Sequence, residues 1–186
     1  MGIKLFGKNI LQVYRHRIMR IDYKTVVKDA SSIRKCSFRR IKKSSIARDM
    51  EAVGSTITTA NLERLVKTNP HLCEGFILYD PGNTPIGSIW VMYRGGNDLE
   101  YRIRNTDAYI YGVYIRPEYR GNGWAGVMIS RLMRYLHIRK RIDCAVLAVS
   151  RKNASAIRAY RKAGFADIGD KEFIRFMKIN IPYHVL

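Results

Sequence analysis

The chain has 186 residues, of which 47% are hydrophobic and 26% are charged. This length suits one well-cored domain better than two, and the hydrophobic content excludes an intrinsically disordered chain. No apolar run approaches the roughly 20 residues that a membrane-spanning helix needs, so we expect no membrane span. Because the opening residues also lack the hydrophobic core of a signal peptide, we expect a cytoplasmic protein.

The charge of the chain is +19, from 34 Lys and Arg against 15 Asp and Glu. Residues 1–50 carry +11, residues 51–110 carry −2 and residues 111–186 carry +10. Such a field gathers anionic partners, whether a nucleotide cofactor, a phosphorylated substrate, nucleic acid or an acidic membrane. The alternative is a basic surface that is only solvated.

Metal and disulfide chemistry have little support in the sequence. The three cysteines, Cys36, Cys73 and Cys144, are odd in number and form no C-x-x-C pair, so neither a disulfide framework nor a thiolate metal site is expected. The four histidines are scattered without the spacing of metal ligands, so we predict no metal.

The first third of the chain is predicted to hold an extension, a strand and two short helices. Residues 1–17 are basic and loosely amphipathic, and are predicted to be an N-terminal extension, helical or packed, before a single domain over 18–186. A β-branched, partly alternating segment predicts a strand over 16–27. Two short helices are predicted over 30–38 and 60–68. The segment between them has no clear pattern.

The middle of the chain is typical of an antiparallel meander. Residues 73–80 and 85–93 flank a turn-forming cluster, which predicts a hairpin. Residues 99–104 are expected to extend the pairing. A further strand is predicted over 108–116, with Gly112 as the candidate for a bulge.

The last third alternates helices and strands. Apolar residues recur at helical spacing from Trp124 onward, and 144–149 is an unbroken apolar run that predicts a strand covered on both faces. A second helix is expected between Asn153 as N-cap and Gly164 as C-cap, with an inward stripe that includes Tyr160. Two closing strands are predicted over 165–169 and 172–179.

The loop before the first of these helices fits two phosphate-binding patterns. Gly121, Gly123 and Gly126 match G-x-G-x-x-G, whereas Arg120, Gly123 and Ala125 match R-x-x-G-x-A. A dinucleotide fold needs this turn early in the chain and an acidic residue about 20 positions later. Here the loop comes late, after a meander, and the strand over 144–149 is followed by Ser150 and Arg151. The first pattern is therefore disfavoured.

The second pattern is accompanied by another motif downstream. Residues 153–165 match N-x-x-A-x-x-x-Y-x-x-x-G-F through Asn153, Ala156, Tyr160, Gly164 and Phe165. With the strand ending in Pro117 and the loop, this resembles the GCN5-related N-acetyltransferase (GNAT) family, closely over about 108–168. The resemblance implies an α/β acyl-CoA N-acyltransferase fold with a mixed, mostly antiparallel central sheet flanked by helices.

The resemblance also implies acetyl-CoA as co-substrate and a set of residues that bind it. The loop glycines let backbone N–H groups approach the pyrophosphate, beside the N-terminus of a helix. The expected cofactor-binding residues are Val113, Ile115, Arg120, Gly121, Asn122, Gly123, Trp124, Ala125, Asn153 and Ala156. For the adenosine phosphate the nearby cationic candidates are Arg116, Arg151, Lys152, Arg158 and Arg161.

Tyr160 is the predicted catalytic residue. An isolated Tyr on a helical stripe belongs to the core, but the family motif places this phenol as the proton donor to the leaving thiolate. The general base stays open. Candidates are Glu74, Glu100, Tyr109 and Tyr111, with His71 and His137 weaker.

The function expected from the resemblance is acetyl transfer from acetyl-CoA to a primary amine. The acceptor is a small molecule or a macromolecule, and the basic charge favours an anionic one; a homodimer is compatible with the sequence. The alternative is a non-catalytic module of the same fold that binds nucleic acid or senses acetyl-CoA. No nucleic-acid-binding motif supports that alternative.

Overall fold

The computed structural model describes residues 2–5, 8–26, 35–54, 72–93, 103, 104, 106–176 and 179–183. Within these ranges nine strands form one mixed sheet: β1 (Gly2–Leu5), β2 (Lys8–Asp22), β3 (Ser37–Arg40), β4 (Cys73–Tyr79), β5 (Pro85–Met92), β6 (Asp107–Ile115), β7 (Cys144–Ser150), β8 (Ala166–Phe176) and β9 (Ile179–Tyr183). The α-helices are α1 (Ile46–Val53), α2 (Trp124–Tyr135), which continues as a π-helical turn over Leu136–Lys140, and α3 (Ala154–Ala163).

The sheet order is β3-β4-β5-β6-β7-β2-β8-β9, with β1 paired to β2. β6 and β7 run parallel, and the other pairs of described strands are antiparallel. The main core lies between the sheet and the helices α2 and α3, and a smaller core lies under α1 around Trp90. The predicted fold class is confirmed.

The N-terminal segment is more regular than predicted. Residues 8–22 form a single strand, β2, which pairs with β8 from Leu11 onward. The strand predicted over 16–27 therefore begins earlier than expected and ends at Asp22, before a 3-10 turn over Tyr23–Thr25. The charged side chains of β2 interrupt the alternation of apolar and polar residues by which a strand is predicted from sequence. Arg15 pairs with Glu172 at 2.5 Å and Arg17 with Asp167 at 3.1 Å, both across to β8.

The segment before α1 was predicted incorrectly. The helix predicted over 30–38 ends in residues that form the edge strand β3, paired with β4, while 27–34 lie outside the described residues. Edge pairing is a tertiary contact that overrides local preference. Helix α1 was not predicted, although its buried residues Ile46, Met50 and Val53 follow helical spacing. The helix predicted over 60–68 also lies outside the described residues.

The remaining predicted elements fare better. The β4–β5 hairpin, β6, α2, β7 and α3 are confirmed. Of the extension predicted over 99–104, the structure describes 103 and 104, which are not in a strand. The two closing strands predicted over 165–169 and 172–179 are wrong in their division, because β8 runs unbroken from Ala166 to Phe176 before β9.

Gly164 ends α3 where the backbone of Thr25 leaves no room for a side chain. Its φ is +104°, and a Cβ atom at this position would lie 2.5 Å from the carbonyl oxygen of Thr25. Gly54 ends α1 with φ +67° and has no atom within 4 Å of the same position.

The Gly54→Ala variant is expected to lose about 1 kcal/mol of unfolding free energy from the left-handed backbone alone. Gly164→Ala should lose clearly more, measured by urea denaturation. Equal losses would show that the Thr25 contact relaxes without cost.

Candidate active site

The centre of the sheet opens where β6 and β7 separate. Their parallel pairing covers Asp107–Ile110 against Cys144–Leu147 and stops there, although both strands continue. The register of β5 against β6 shifts between Ser88 and Trp90, and Gly112 has φ +59°. The bulge predicted at Gly112 is therefore confirmed. Beyond it, the β7-facing edge of β6 has no strand partner among the described residues.

A cavity of about 540 Å³ adjoins this edge. Three elements line it: the end of β6, the loop and first turn of α2, and one face of α3. Eight of the ten predicted cofactor-binding residues are in its wall: Val113, Ile115, Arg120, Gly121, Gly123, Trp124, Ala125 and Ala156. Asn122 and Asn153 are exposed and are not in the wall.

The loop is shaped for a ligand that lies close to its backbone. Gly121 and Gly123 have φ of +81° and +78°, and a Cβ at either would point into open space. Gly123 is the N-cap of α2 without a side-chain capping bond, so the first-turn N–H groups are not blocked by a side chain. Positive helix termini of this kind attract phosphates.

The cations near the cavity divide into two groups. Arg116, Arg151 and Arg161 are engaged with Glu118, Asp170 and Asp167 at 2.6, 3.4 and 2.6 Å. Arg158 and Lys162 line the cavity instead. Lys162 was missed in the sequence, although it lies one helical turn after Arg158. The Arg120 Nε donates to the carbonyl of Ile115 at 2.9 Å, so this side chain also holds the end of β6.

Tyr160 lies in the cavity wall and packs against Phe165 with ring centroids 5.7 Å apart. Burial raises the pKa of Tyr160 to about 12, so its phenol stays protonated at neutral pH. A protonated phenol can donate a proton but cannot accept one. Asn153 instead caps α3, since its side chain accepts from the Ala156 N–H at 3.1 Å.

The candidates for the general base are not drawn together at the cavity. Glu74 is buried and accepts hydrogen bonds from Tyr93 and Tyr135, the latter at the opposite end of α2 from the loop. The length of α2 puts about 16 Å between those ends. His137 stacks on Tyr23 and lies 2.5 Å from Asp143, in the π-helical turn after α2. Glu100 and His71 lie outside the described residues.

Tyr109 and Tyr111 lie on β6 at the separation of the strands, on the face opposite α2. Tyr109 is buried and stacks on Tyr111, whose Oη is 2.7 Å from the Cys73 Sγ. Burial and this contact with Cys73 raise the pKa of Tyr111 above its usual range. The Tyr111 phenol therefore stays protonated and is not primed as a base.

The described residues include neither a cluster of metal ligands nor a membrane-spanning helix. These residues bring together no group of three His, Cys, Asp or Glu side chains that could hold a metal ion. They also include no helix long and apolar enough to cross a bilayer.

Fold and site together define an acyl-CoA-type N-acyltransferase architecture, and comparison with known proteins agrees. The model of the acetyltransferase (GNAT) family matches residues 44–165, more than half of the chain. The chain therefore belongs to the GNAT acetyltransferase family.

Solved structures share the fold at low sequence identity. A GCN5-related N-acetyltransferase from Kribbella flavida has a TM-score of 0.60 at 10% identity, over 88% of this chain and 58% of that one. Spermidine N-acetyltransferase from Vibrio cholerae, described as dodecameric, has a TM-score of 0.55 at 19% identity. The match covers 73% of this chain and 81% of that one. A predicted acetyltransferase from Clostridium acetobutylicum, described with acetyl-CoA, has a TM-score of 0.53 at 19% identity. The match covers 72% of this chain and 91% of that one. The chain covers 52–63% of the length of the first four similar structures.

Proposed function

We propose that this chain transfers the acetyl group of acetyl-CoA directly to a primary amine. The observation that carries the proposal is the cavity of about 540 Å³ that joins the unpaired edge of β6 to the α2 loop and to Tyr160. An extended ligand arm pairs with such an edge as an added strand would. The residues present fit the co-substrate, because open glycines, a helix N-terminus and three cations surround the cavity.

Each residue has a distinct part in the proposed reaction. The β6 backbone from Gly112 to Ile115 aligns the pantetheine arm, and the N–H groups near Gly123 hold the pyrophosphate. The amine nitrogen attacks the thioester carbonyl, the C–S bond breaks, and Tyr160 gives its proton to the departing sulfur. The proton lost by the amine goes to water, since Glu74 and His137 lie away from this cavity and the raised pKa of Tyr111 keeps that phenol protonated.

Binding of the co-substrate is tested with the cations of α3. We expect acetyl-CoA to raise the melting temperature of the wild type, because a ligand of the folded state stabilises it. Arg158→Gln/Lys162→Gln should weaken acetyl-CoA binding roughly 10- to 100-fold through lost charged hydrogen bonds to the adenosine phosphate. Arg134→Gln/Lys24→Gln, which also removes one arginine and one lysine but at exposed positions outside the cavity wall, is the matched control and should bind normally.

Release of free CoA thiol over a panel of amines then tests the transfer itself. Thiol release that depends on an amine supports an enzyme. A rise in melting temperature with no thiol from any amine would instead indicate an acetyl-CoA-sensing module. If acetyl-CoA neither raises the melting temperature nor yields thiol, the proposed function fails.

A further inference from the structure

A second cavity, of about 440 Å³, lies on the α1 side of the sheet. It is separate from the cavity of about 540 Å³ between β6, α2 and α3, which is called the cofactor cavity below. Its apolar wall comes from Ile41, Ile46 and Trp90, which belong to the smaller core. The rest of the wall comprises three cations, one buried carboxylate and two small residues: Arg40, Lys42, Lys43, Glu74, Cys73 and Gly75. The cavity therefore combines an apolar interior with a cationic border.

Trp90 carries a polar atom that the described part of the chain leaves unpaired. The side chain is 1% exposed, and its Nε1 has no hydrogen-bond acceptor in the part of the chain that the structure describes. The indole packs directly against Gly75, where a Cβ atom would come within 2.7 Å of the ring. Buried donors are almost always paired, so this indole N–H beside the cavity lacks an acceptor among the described residues.

The cations of the border differ in how they are engaged. Arg40 pairs with Glu74 at 2.9 Å. Lys42 and Lys43 are exposed, and within the described ranges neither has a carboxylate at ion-pair distance. Two such ammonium groups attract an anion.

The cavity is linked to the separation of β6 and β7 through one side chain. Cys73 lines the cavity, and its Sγ lies 2.7 Å from the Oη of Tyr111, the residue before the Gly112 bulge. The rings of Trp90 and Tyr111 have centroids 6.5 Å apart. Burial raises the pKa of Cys73 to about 11, so its thiol is neutral and contributes binding surface, not a nucleophile.

We propose that this cavity binds the acceptor, and that the acceptor is a primary amine whose apolar or aromatic body carries a phosphate or carboxylate. The body packs on Ile41, Ile46 and Trp90, an anionic oxygen accepts from the indole N–H, and Lys42 and Lys43 neutralise its charge. The amine then reaches past Tyr111 toward the thioester. This inference rests on the proposed function. A polyamine does not match it, because Glu74, the carboxylate of the wall, is already paired with Arg40 and Lys140, whereas Lys42 and Lys43 are exposed cations.

The two tryptophans of the chain allow both cavities to be followed separately. The sequence has Trp90 in this cavity and Trp124 in the cofactor cavity, and no other Trp. In Trp124→Phe, fluorescence reports on Trp90 alone. The probes are tyramine phosphate and tyramine, which differ only in the phosphate. We expect tyramine phosphate to change the Trp90 emission saturably and to bind at least about ten times more tightly than tyramine, the smallest gain expected from charged hydrogen bonds.

Charge variants test the border. Lys42→Gln/Lys43→Gln should weaken the binding of tyramine phosphate at least about tenfold and leave tyramine unchanged. Lys24→Gln/Lys171→Gln removes the same charge away from the cavity and is the control. Both lysines of the first pair are exposed, so this variant is expected to fold. Trp90→Phe, followed by calorimetry, should also weaken binding of the phosphate.

The outcomes separate this inference from the function on which it rests. Equal binding of the two probes, no emission change, or equal effects of both lysine pairs would overturn the acceptor site. If acetyl-CoA binds the wild type while tyramine phosphate does not bind, this inference alone fails. If acetyl-CoA does not bind, the proposed function fails, and the Trp90 titration still decides whether the cavity takes an amphipathic anion.

Discussion

Tyr160→Phe is expected to lower kcat for acetyl transfer by roughly 10²- to 10³-fold, because it removes the proton donor for the leaving thiolate. The ring is kept, so its packing against Phe165 and the shape of the cavity are retained. KM for acetyl-CoA should therefore stay unchanged, since the lost interaction is made in the transition state. Steady-state release of CoA thiol measures both constants.

The pH dependence gives an independent check of the same role. The protonated phenol is the active form, and it is lost only as the pH rises through the pKa of about 12. Tyr160 should then cause no fall in kcat up to about pH 10, well below that pKa. Tyr23→Phe, whose ring stacks on His137 away from the cavity, is the matched control and should keep full activity. If Tyr160→Phe also keeps full activity, water or another group protonates the thiolate.

Glu74→Ala is expected to cost about 3–5 kcal/mol of unfolding free energy, the range for breaking a buried ionic cluster on one side. The carboxylate, 4% exposed, accepts from Tyr93 and, at 3.0 Å, from Tyr135. Arg40 and Lys140 pair with it at 2.9 and 3.3 Å. One carboxylate thus joins β3, β4, the end of β5 and the end of α2. Urea denaturation measures the loss.

An exposed hydrogen-bonded pair supplies the comparison for Glu74. Asp143 lies 2.5 Å from His137 but is largely exposed, so Asp143→Ala should cost less than about 1 kcal/mol. Glu74→Gln separates structure from chemistry, because it keeps the shape and removes the charge. We expect it to lose stability and, while folded, to keep kcat. A folded Glu74→Gln without activity would restore Glu74 as the general base.

The loop and the two helices at the cavity of about 540 Å³ could be predicted from the sequence because they depend on local backbone form. A loop with Gly121 and Gly123 at positive φ, the helix that follows it, and a helix between Asn153 and Gly164 are each specified within a few residues. Two such motifs at the right separation placed eight of the ten expected residues in the wall of one cavity.

Errors arose where a segment is defined by its neighbours. Residues 8–17 look like a basic extension until Arg15 and Arg17 meet the acidic residues of β8. Ser37–Arg40 becomes a strand because β4 offers an edge with which it pairs. Neither partner is close in sequence, so no local pattern could predict these strands.

By itself the sequence determined the family resemblance, the glycine-rich loop and the phenol on α3, because these depend on residue identities at short, set spacings. The tertiary structure decided what those spacings cannot encode. It carried Glu74 away from the cofactor cavity into a buried ionic cluster, and it enclosed the Trp90 indole N–H beside Lys42 and Lys43. These residues are far apart in the chain and become neighbours only when the sheet forms.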